Sequence, residues 1–149
     1  MLPRSIHIAI NHDDYHASYV GQTSNGLQFF LTQPFIVSME DDLKRREFLA
    51  LYTFDADGNF LEAFIDDLGE LYTYSDTLAQ RLTFQRLDQL GNKEYTRILI
   101  RPFSVQFAGI LFGLIVHTPH DVDGLWTATF EPGNYMSFTE PWDSGEYDT

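Results

Sequence analysis

The sequence predicts an α+β protein in which a largely antiparallel, twisted sheet is built from hairpins and one principal helix packs on it. Short runs rich in aromatic and β-branched residues follow one another along the chain, and such residues favour strands. Turn-forming sequences separate these runs at the spacing of hairpins. One stretch, Ser75–Gly91, has the signals of a helix start and a helix end. Because 149 residues suit one ordinary domain, we assign residues 1–149 to a single unit.

The first third of the chain predicts three strands. Apolar and polar residues alternate over Ser5–Ile10, which is the period of a half-buried strand. Further strands are predicted over Tyr15–Thr23 and Leu27–Thr32. Asn25-Gly26 between them is a strong hairpin signal, because both residues accept a positive φ. The acids and bases of Glu40–Arg46 indicate a short helix or a solvated loop.

The stretch Glu47–Asp66 has the strongest strand signal. Two apolar, aromatic-rich runs flank the turn-forming segment Asp55–Asn59, so we predict a β-hairpin against which the rest of the chain packs. Both runs are apolar on both faces. Strands of this kind are usually central in a sheet or covered on both sides.

The second half predicts the helix and then more strands. Ser75 is a candidate N-cap, and Gly91 stands where a left-handed residue would end the helix. Tyr95–Arg101 alternates weakly and predicts a strand. Two more hairpins are predicted from paired runs and their turns: Ser104–Phe107 with Ile110–Val116 about Ala108-Gly109, and Leu125–Phe130 with Tyr135–Phe138 about Glu131–Asn134.

The charge is strongly negative and unevenly distributed. The chain has 9 basic and 22 acidic residues, a net charge of −13, and no Lys or Arg after Arg101. Such a field repels phosphate backbones and anionic bilayers, so we expect neither a nucleic acid nor a membrane as partner. A basic protein partner would be attracted. Solubility alone is the simpler explanation of the same charge.

Cysteine is absent, which excludes disulfides, thiolate nucleophiles and zinc–thiolate sites. Met1–Ile10 lacks the pattern of a signal peptide. The longest apolar run, Phe107–Val116, is about half of the ~20 residues that a membrane-spanning helix needs. We therefore expect a cytoplasmic protein.

Two segments have residues of the kind that bind metal ions. His117, His120, Asp121 and Asp123 lie close together in one predicted loop, but metal sites need ligands on rigid, convergent elements, so a polar loop is the favoured interpretation and we expect no metal. The spacing of oxygen donors in Asp55–Asn59 is similar to that of a calcium loop. Its glycine is misplaced for one, and turn chemistry explains the same residues. We expect no cofactor.

The tail, 140–149, is acidic and aromatic, and it is the candidate partner-binding segment. Its candidate residues are Trp142, Asp143, Glu146, Tyr147 and Asp148, since large amphipathic rings are enriched in protein interfaces. The favoured alternative is that the tail packs back on the sheet and buries its indole.

These observations lead to one leading hypothesis and two alternatives. The chain lacks nucleophile-elbow, phosphate-loop and zinc-protease motifs, so we expect a non-enzymatic protein that binds another protein, as a regulator or a neutraliser of a basic partner. One alternative is a metal-dependent or small-molecule enzyme that uses the His117–Asp123 loop. The other is a structural domain that dimerises through a sheet edge, so that the protein is a monomer or a homodimer.

Several short stretches, spread over most of the chain, carry a family resemblance. They are Ile6–Ile10, Asp13–Tyr15, Val20-Gly21, Gly26–Phe30, Tyr52–Gly58, Pro102–Val105, Phe112–Leu114 and Pro141–Thr149. Together they resemble a bacterial family of about this length, whose members are often labelled formate hydrogenlyase regulatory protein HycA-like. The resemblance implies a regulatory, non-enzymatic protein and implies no active-site residues.

Overall fold

Twelve strands and one helix form within the part of the chain that the computed structural model describes, residues 6–37, 45–70, 73, 75–119 and 124–149. In chain order these elements are β1 Ile8–Ile10, β2 Val20–Thr23, β3 Gln28–Thr32, β4 Phe35–Ile36, β5 Arg46–Phe54, β6 Phe60–Glu70, α1 Asp76–Gln89, β7 Lys93–Tyr95, β8 Ile98–Ile100, β9 Phe103–Phe107, β10 Ile110–His117, β11 Thr127–Glu131 and β12 Ser137–Thr139.

The strands form three sheets, and their pairings are antiparallel. The largest has six strands. The strands β4 and β3 pair with successive parts of one edge of β5, and β6 pairs with its opposite edge. From β3 the sheet continues through β2 to β7. A four-stranded sheet has the order β12-β11-β10-β9, and β1 pairs with β8 in a two-stranded sheet. The predicted architecture, a largely antiparallel sheet with one helix, is therefore confirmed, although strands outweigh helix.

Two hydrophobic cores lie on opposite faces of the six-stranded sheet. The first contains Phe30, Phe48 and Tyr52 from that sheet together with Phe103 and Phe130 from the four-stranded sheet. Their rings meet edge to face, with centroids 4.9 Å apart for Phe30 and Phe130 and also for Tyr52 and Phe103, a favoured aromatic geometry. The second core lies under α1, and its buried members are Phe29, Leu31, Leu49, Leu51, Leu68 and Leu87.

The helix begins and ends where the sequence predicts. The side-chain oxygen of Ser75 accepts a hydrogen bond from the Leu78 amide at 3.1 Å, which satisfies one of the free amides of the first turn. Gly91 follows the helix with φ +74, the left-handed conformation that a glycine adopts at low cost. Arg86 and Asp66 join α1 to β6 through an ion pair of 2.8 Å.

The central hairpin is confirmed as β5 and β6, but its two strands differ. Residues of β5 after Arg46 are buried throughout, in agreement with the prediction of a central strand. The expectation is wrong for β6, which pairs only with β5 among the described strands and is mostly half-buried or exposed. Its apolar residues, such as Phe60 and Phe64, cover the two cores at their margin.

Other boundaries differ from the predictions for identifiable reasons. The predicted strand over Tyr15–Thr23 is confined to Val20–Thr23, because the Asp13 carboxylate accepts hydrogen bonds from the amides of Tyr15 and Ala17 and holds that segment in turns. Tyr95–Arg101 is not one strand. Its two ends belong to different sheets, β7 beside β2 and β8 beside β1.

The turn at Asn25-Gly26 also differs from the predicted one. Of the two residues, Gly26 alone has a positive φ, +91. Its amide donates to the Thr23 carbonyl at 3.1 Å, while the Thr23 amide donates to Leu27 at 2.8 Å, so the loop has three residues and a glycine bulge. The Ala108-Gly109 turn has both residues at positive φ.

Substitution of two glycines in the β2–β3 hairpin distinguishes the cost of steric crowding from the cost of backbone strain. A Cβ on Gly21 would lie 2.0 Å from the carbonyl oxygen of Glu94 in β7, whereas a Cβ on Gly26 would meet nothing within 4 Å. We therefore expect Gly21→Ala to lower the free energy of unfolding by ~3 kcal/mol, the upper end of overpacking costs. Gly26→Ala should cost about 1 kcal/mol, from its left-handed φ alone. Urea denaturation of both variants measures the difference, and equal or reversed costs would contradict the close approach of β2 and β7.

Candidate functional site

The tail folds back along the first strand. The Ala9 amide donates to the Trp142 carbonyl at 2.9 Å, and the Asn11 amide donates to the Gly145 carbonyl at 3.0 Å. The Trp142 ring is half-buried against the first core. The tail therefore packs back on the body of the protein and covers its indole only in part.

Further contacts fix the tail at its middle and its end. Ser137 and Asp148 exchange two backbone hydrogen bonds, of 2.8 and 2.9 Å. The guanidinium of Arg97 donates to the Asp143 carbonyl at 2.6 Å and to the Asn11 side chain at 3.2 Å. Because backbone atoms make most of these bonds, the carboxylates of Asp143, Glu146 and Asp148 are left to face solvent.

Tyr147 joins the tail to the turns after β1. Its hydroxyl donates to Asp13 Oδ2 at 2.6 Å and accepts a hydrogen bond from the His16 amide at 3.1 Å. Burial, together with the hydrogen bond to Asp13, raises the pKa of Tyr147 to about 12. Burial opposes the charged form of Asp13, but hydrogen bonds from Tyr147 and two loop amides outweigh it and hold the pKa of this carboxyl below 3.8. The carboxylate and the neutral phenol therefore form a charge-assisted pair at pH 7.

We name the surface made by residues 13–16 and 142–148 the tail–loop surface. Asp143, Glu146 and Asp148 are exposed on it, as is Asp14 from the loop. The ion pairs among described residues are Arg45–Glu47, Arg46–Asp67 and Arg86–Asp66, and all lie elsewhere. The rings of Trp142 and Tyr147 are half-buried, whereas Tyr15 is 66% exposed. The surface thus combines fixed aromatic rings with exposed carboxylates that form no ion pair with a described basic residue; Arg97 beside them donates to backbone and amide oxygens instead.

The predicted metal-binding residues are described only in part. His117 ends β10, and its Nε2 lies 2.7 Å from the Thr129 hydroxyl. His120, Asp121 and Asp123 lie outside the described residues. Within the described ranges, no three His, Asp or Glu side chains converge on a common point. Because three of the four predicted ligands lie outside those ranges, the metal site in this loop stays a prediction.

The calcium-like segment Asp55–Asn59 is a turn, as the turn interpretation predicted. One carboxylate oxygen of Asp55 accepts hydrogen bonds from the amides of Asp57 and Asn59, both at 2.9 Å, and the other accepts from the Asn59 side chain. Gly58 has φ +87 and lies against the Leu99 carbonyl. The Asp55 carboxylate, the first of the oxygen ligands that a calcium loop would use, therefore forms hydrogen bonds within the turn.

Sequence reasoning found the tail residues but missed the residues that hold them. Asp13 and Tyr147 are 134 positions apart, and Asp13 is one of several turn-forming residues after β1. Arg97 lies on a predicted strand with no feature that sets it apart. The sequence shows that these side chains can form hydrogen bonds, but it does not show with which residues.

Comparison of the chain with protein-family models, curated proteins and solved structures gave no match. The resemblance to the HycA-like family therefore stays a prediction. In the described ranges, no helix has both the length and the apolar composition needed to cross a bilayer.

Removal of the Tyr147 hydroxyl tests whether its hydrogen bond to Asp13 holds the tail. Tyr147→Phe keeps the ring contact with Phe138 and removes the bond to Asp13, so we expect the free energy of unfolding to fall by about 1.5 kcal/mol at pH 7. Because the folded pKa of Asp13 is lowered, this contribution is complete above its ordinary value of 3.8 and is lost as the pH falls through the folded value. The difference between variant and wild type should therefore narrow below that pH.

The matched control is Tyr15→Phe, which removes a hydroxyl from a largely exposed ring of the same loop. It should change the free energy of unfolding by less than ~0.5 kcal/mol. Chemical denaturation across a pH series measures both variants. A Tyr147→Phe cost that stays constant in acid would contradict the role of the Asp13 charge.

Proposed function

We propose that the protein acts by binding a basic protein partner through the tail–loop surface, as a regulator or a neutraliser of that partner. The observation that carries the proposal is the fixed presentation of Asp143, Glu146 and Asp148 beside the rings of Trp142 and Tyr147, with no ion pair to a described basic residue. The proposal includes a cytoplasmic location and needs neither a nucleic acid nor a membrane.

Electrostatics supports a basic partner in particular. The net charge of −13 generates a long-range field that attracts positive surfaces and raises their association rate. The basic residues that pair with acids lie at or before Arg86, and none follows Arg101. Arg97 contacts the tail but donates to the Asp143 carbonyl and not to a carboxylate, so the carboxylates of Asp143, Glu146 and Asp148 stay unpaired among the described residues, where a basic partner would dock.

The anchoring of the tail supports binding without a large ordering cost. A flexible acidic tail would lose conformational entropy on binding, whereas this segment is already held by backbone bonds to Ala9, Asn11 and Ser137. The half-buried rings of Trp142 and Tyr147 add apolar area next to the charges, a combination that is typical of interfaces. A regulatory role also agrees with the family resemblance.

A charge-matched pair of triple variants tests the proposal. The tail triple, Asp143→Asn/Glu146→Gln/Asp148→Asn, removes three exposed carboxylates whose side chains make no described hydrogen bond. The control triple, Asp57→Asn/Glu62→Gln/Asp88→Asn, removes three exposed carboxylates from other parts of the surface. Both lower the magnitude of the net charge equally, so a general loss of charge affects them alike.

The immobilised wild type, tail triple and control triple are used for affinity capture from lysate of the native host at low and high salt. We expect a basic protein to be retained by the wild type and by the control triple at low salt and to be released at high salt. The tail triple should bind this protein at least about tenfold more weakly. Failure to recover any salt-sensitive partner, or equal retention by all three proteins, would count against the proposal.

A further inference from the structure

A cleft of about 260 Å³ opens between α1 and the start of β5. It is separate from the tail segment, although Tyr15 and His16 border both. Leu31 and Leu49 lie on the sheet side of the cleft, and Thr83 lies on the helix side. Its remaining lining residues are Tyr15, His16, Ser18, Tyr19, Thr32, Gln33, Arg45 and Glu47. The cleft therefore combines two tyrosine rings, several polar side chains and one charged pair above two leucines that are themselves buried.

That charged pair is held rigidly. Nε of Arg45 donates to an oxygen of Glu47 at 2.8 Å, and Nη2 lies 2.7 Å from the same oxygen. The guanidinium carbon lies 3.7 Å from the centroid of the Phe35 ring, a cation–π contact that fixes the plane of the group. Arg45 is thus fixed along one edge by a carboxylate and on one face by a ring.

Arg45, and not Glu47, is the member of the pair that has hydrogen-bonding capacity left for a ligand. The Glu47 side chain is only 9% exposed, whereas the Arg45 side chain is 36% exposed. Nη1 of Arg45 makes no hydrogen bond within the described part of the chain. A planar guanidinium with free N–H groups is suited to binding a carboxylate.

We propose that this cleft binds a small carboxylic acid with an apolar body, the carboxylate on Arg45 and the body against the rings of Tyr15 and Tyr19. The volume lies slightly below the roughly 300 to 1,000 Å³ of pockets for drug-sized ligands, which limits the body to about one ring. The rings of Tyr15 and Tyr19 supply the apolar contact, because Leu31 and Leu49 are buried in the second core. This site does not depend on the proposed protein partner.

The overall negative charge does not prevent an anion from binding here. At physiological ionic strength, exposed charges more than about 8 Å apart are largely screened. Arg45 and Glu47 form a pair with no net charge, and burial lowers the pKa of His16, so that its ring is neutral at pH 7. The local donors of Arg45 therefore decide which ligand charge the cleft accepts.

Three probes of nearly the same shape test the charge that the cleft prefers: benzoate, neutral benzamide and the benzamidinium cation. Each is titrated into the full chain and followed by protein NMR. We expect benzoate to shift the amide signals of residues at the cleft, with a dissociation constant on the order of 1 mM or below. Benzamide and benzamidinium should bind at least about tenfold more weakly.

Two neighbouring arginines provide matched variants. Arg45→Met removes the proposed anion-binding group, and Arg46→Met removes the next residue, which pairs with Asp67 and does not line the cleft. Benzoate affinity should fall at least about tenfold in the first and stay within about twofold in the second. Arg45→Lys keeps a positive partner for Glu47 but loses the planar donor edge, so it should also weaken benzoate binding if Arg45→Met fails to fold.

Any of three results would overturn the proposal. These are no benzoate-induced shift at the cleft at concentrations on the order of 10 mM, tighter binding of benzamidinium than of benzoate, or benzoate affinity that is unchanged by Arg45→Lys. None of them bears on the protein partner, because the capture variants leave the cleft residues unaltered.

Discussion

The structure depends on a strand that is buried on both faces. Phe48, Tyr52 and Phe54 of β5 pack towards the four-stranded sheet, while Leu49 and Leu51 pack under the helix. A shift of one residue in the pairing of β5 would turn the side chains of each set to the opposite face of the sheet. Two cores of different composition thus hold one register, and β3 beside it has the same double burial.

The arrangement also determines where polar groups are left near the surface. The burial of β5 begins at Glu47, and at that end the Arg45–Glu47 pair borders the cleft next to α1. On the neighbouring edge, Arg46–Asp67 and Arg86–Asp66 join β5, β6 and the helix. The basic residues of these pairs neutralise acids around the helix-bearing sheet, whereas the tail has acids and no Lys or Arg. The asymmetry of the sequence becomes an asymmetry of the surface.

Local signals predicted much of this fold, and long-range pairings account for what they missed. Ser75 and Gly91 bound the helix because capping is determined within a few residues, and turn residues identified most hairpins. No local pattern indicates that Tyr95 and Arg101 end up beside different sheets, or that Asp13 meets Tyr147. The edge position of β6 was missed because an apolar run has the same pattern whether it is central or at a margin. At the candidate site, the tail residues were found from composition, but the Arg45 cleft was not, since Phe35 reaches Arg45 only when β4 pairs with β5.

Native-state hydrogen exchange of the backbone amides tests the central role of the doubly buried strands most directly. If β5 and β3 join the two cores, their amides should exchange most slowly, with an opening free energy equal to the free energy of global unfolding. Amides of the four-stranded sheet and of the helix should exchange at the same rate or faster. Amides of β10 and β11 that remain protected under conditions in which β5 exchanges would contradict this account, because the two cores would then be independent.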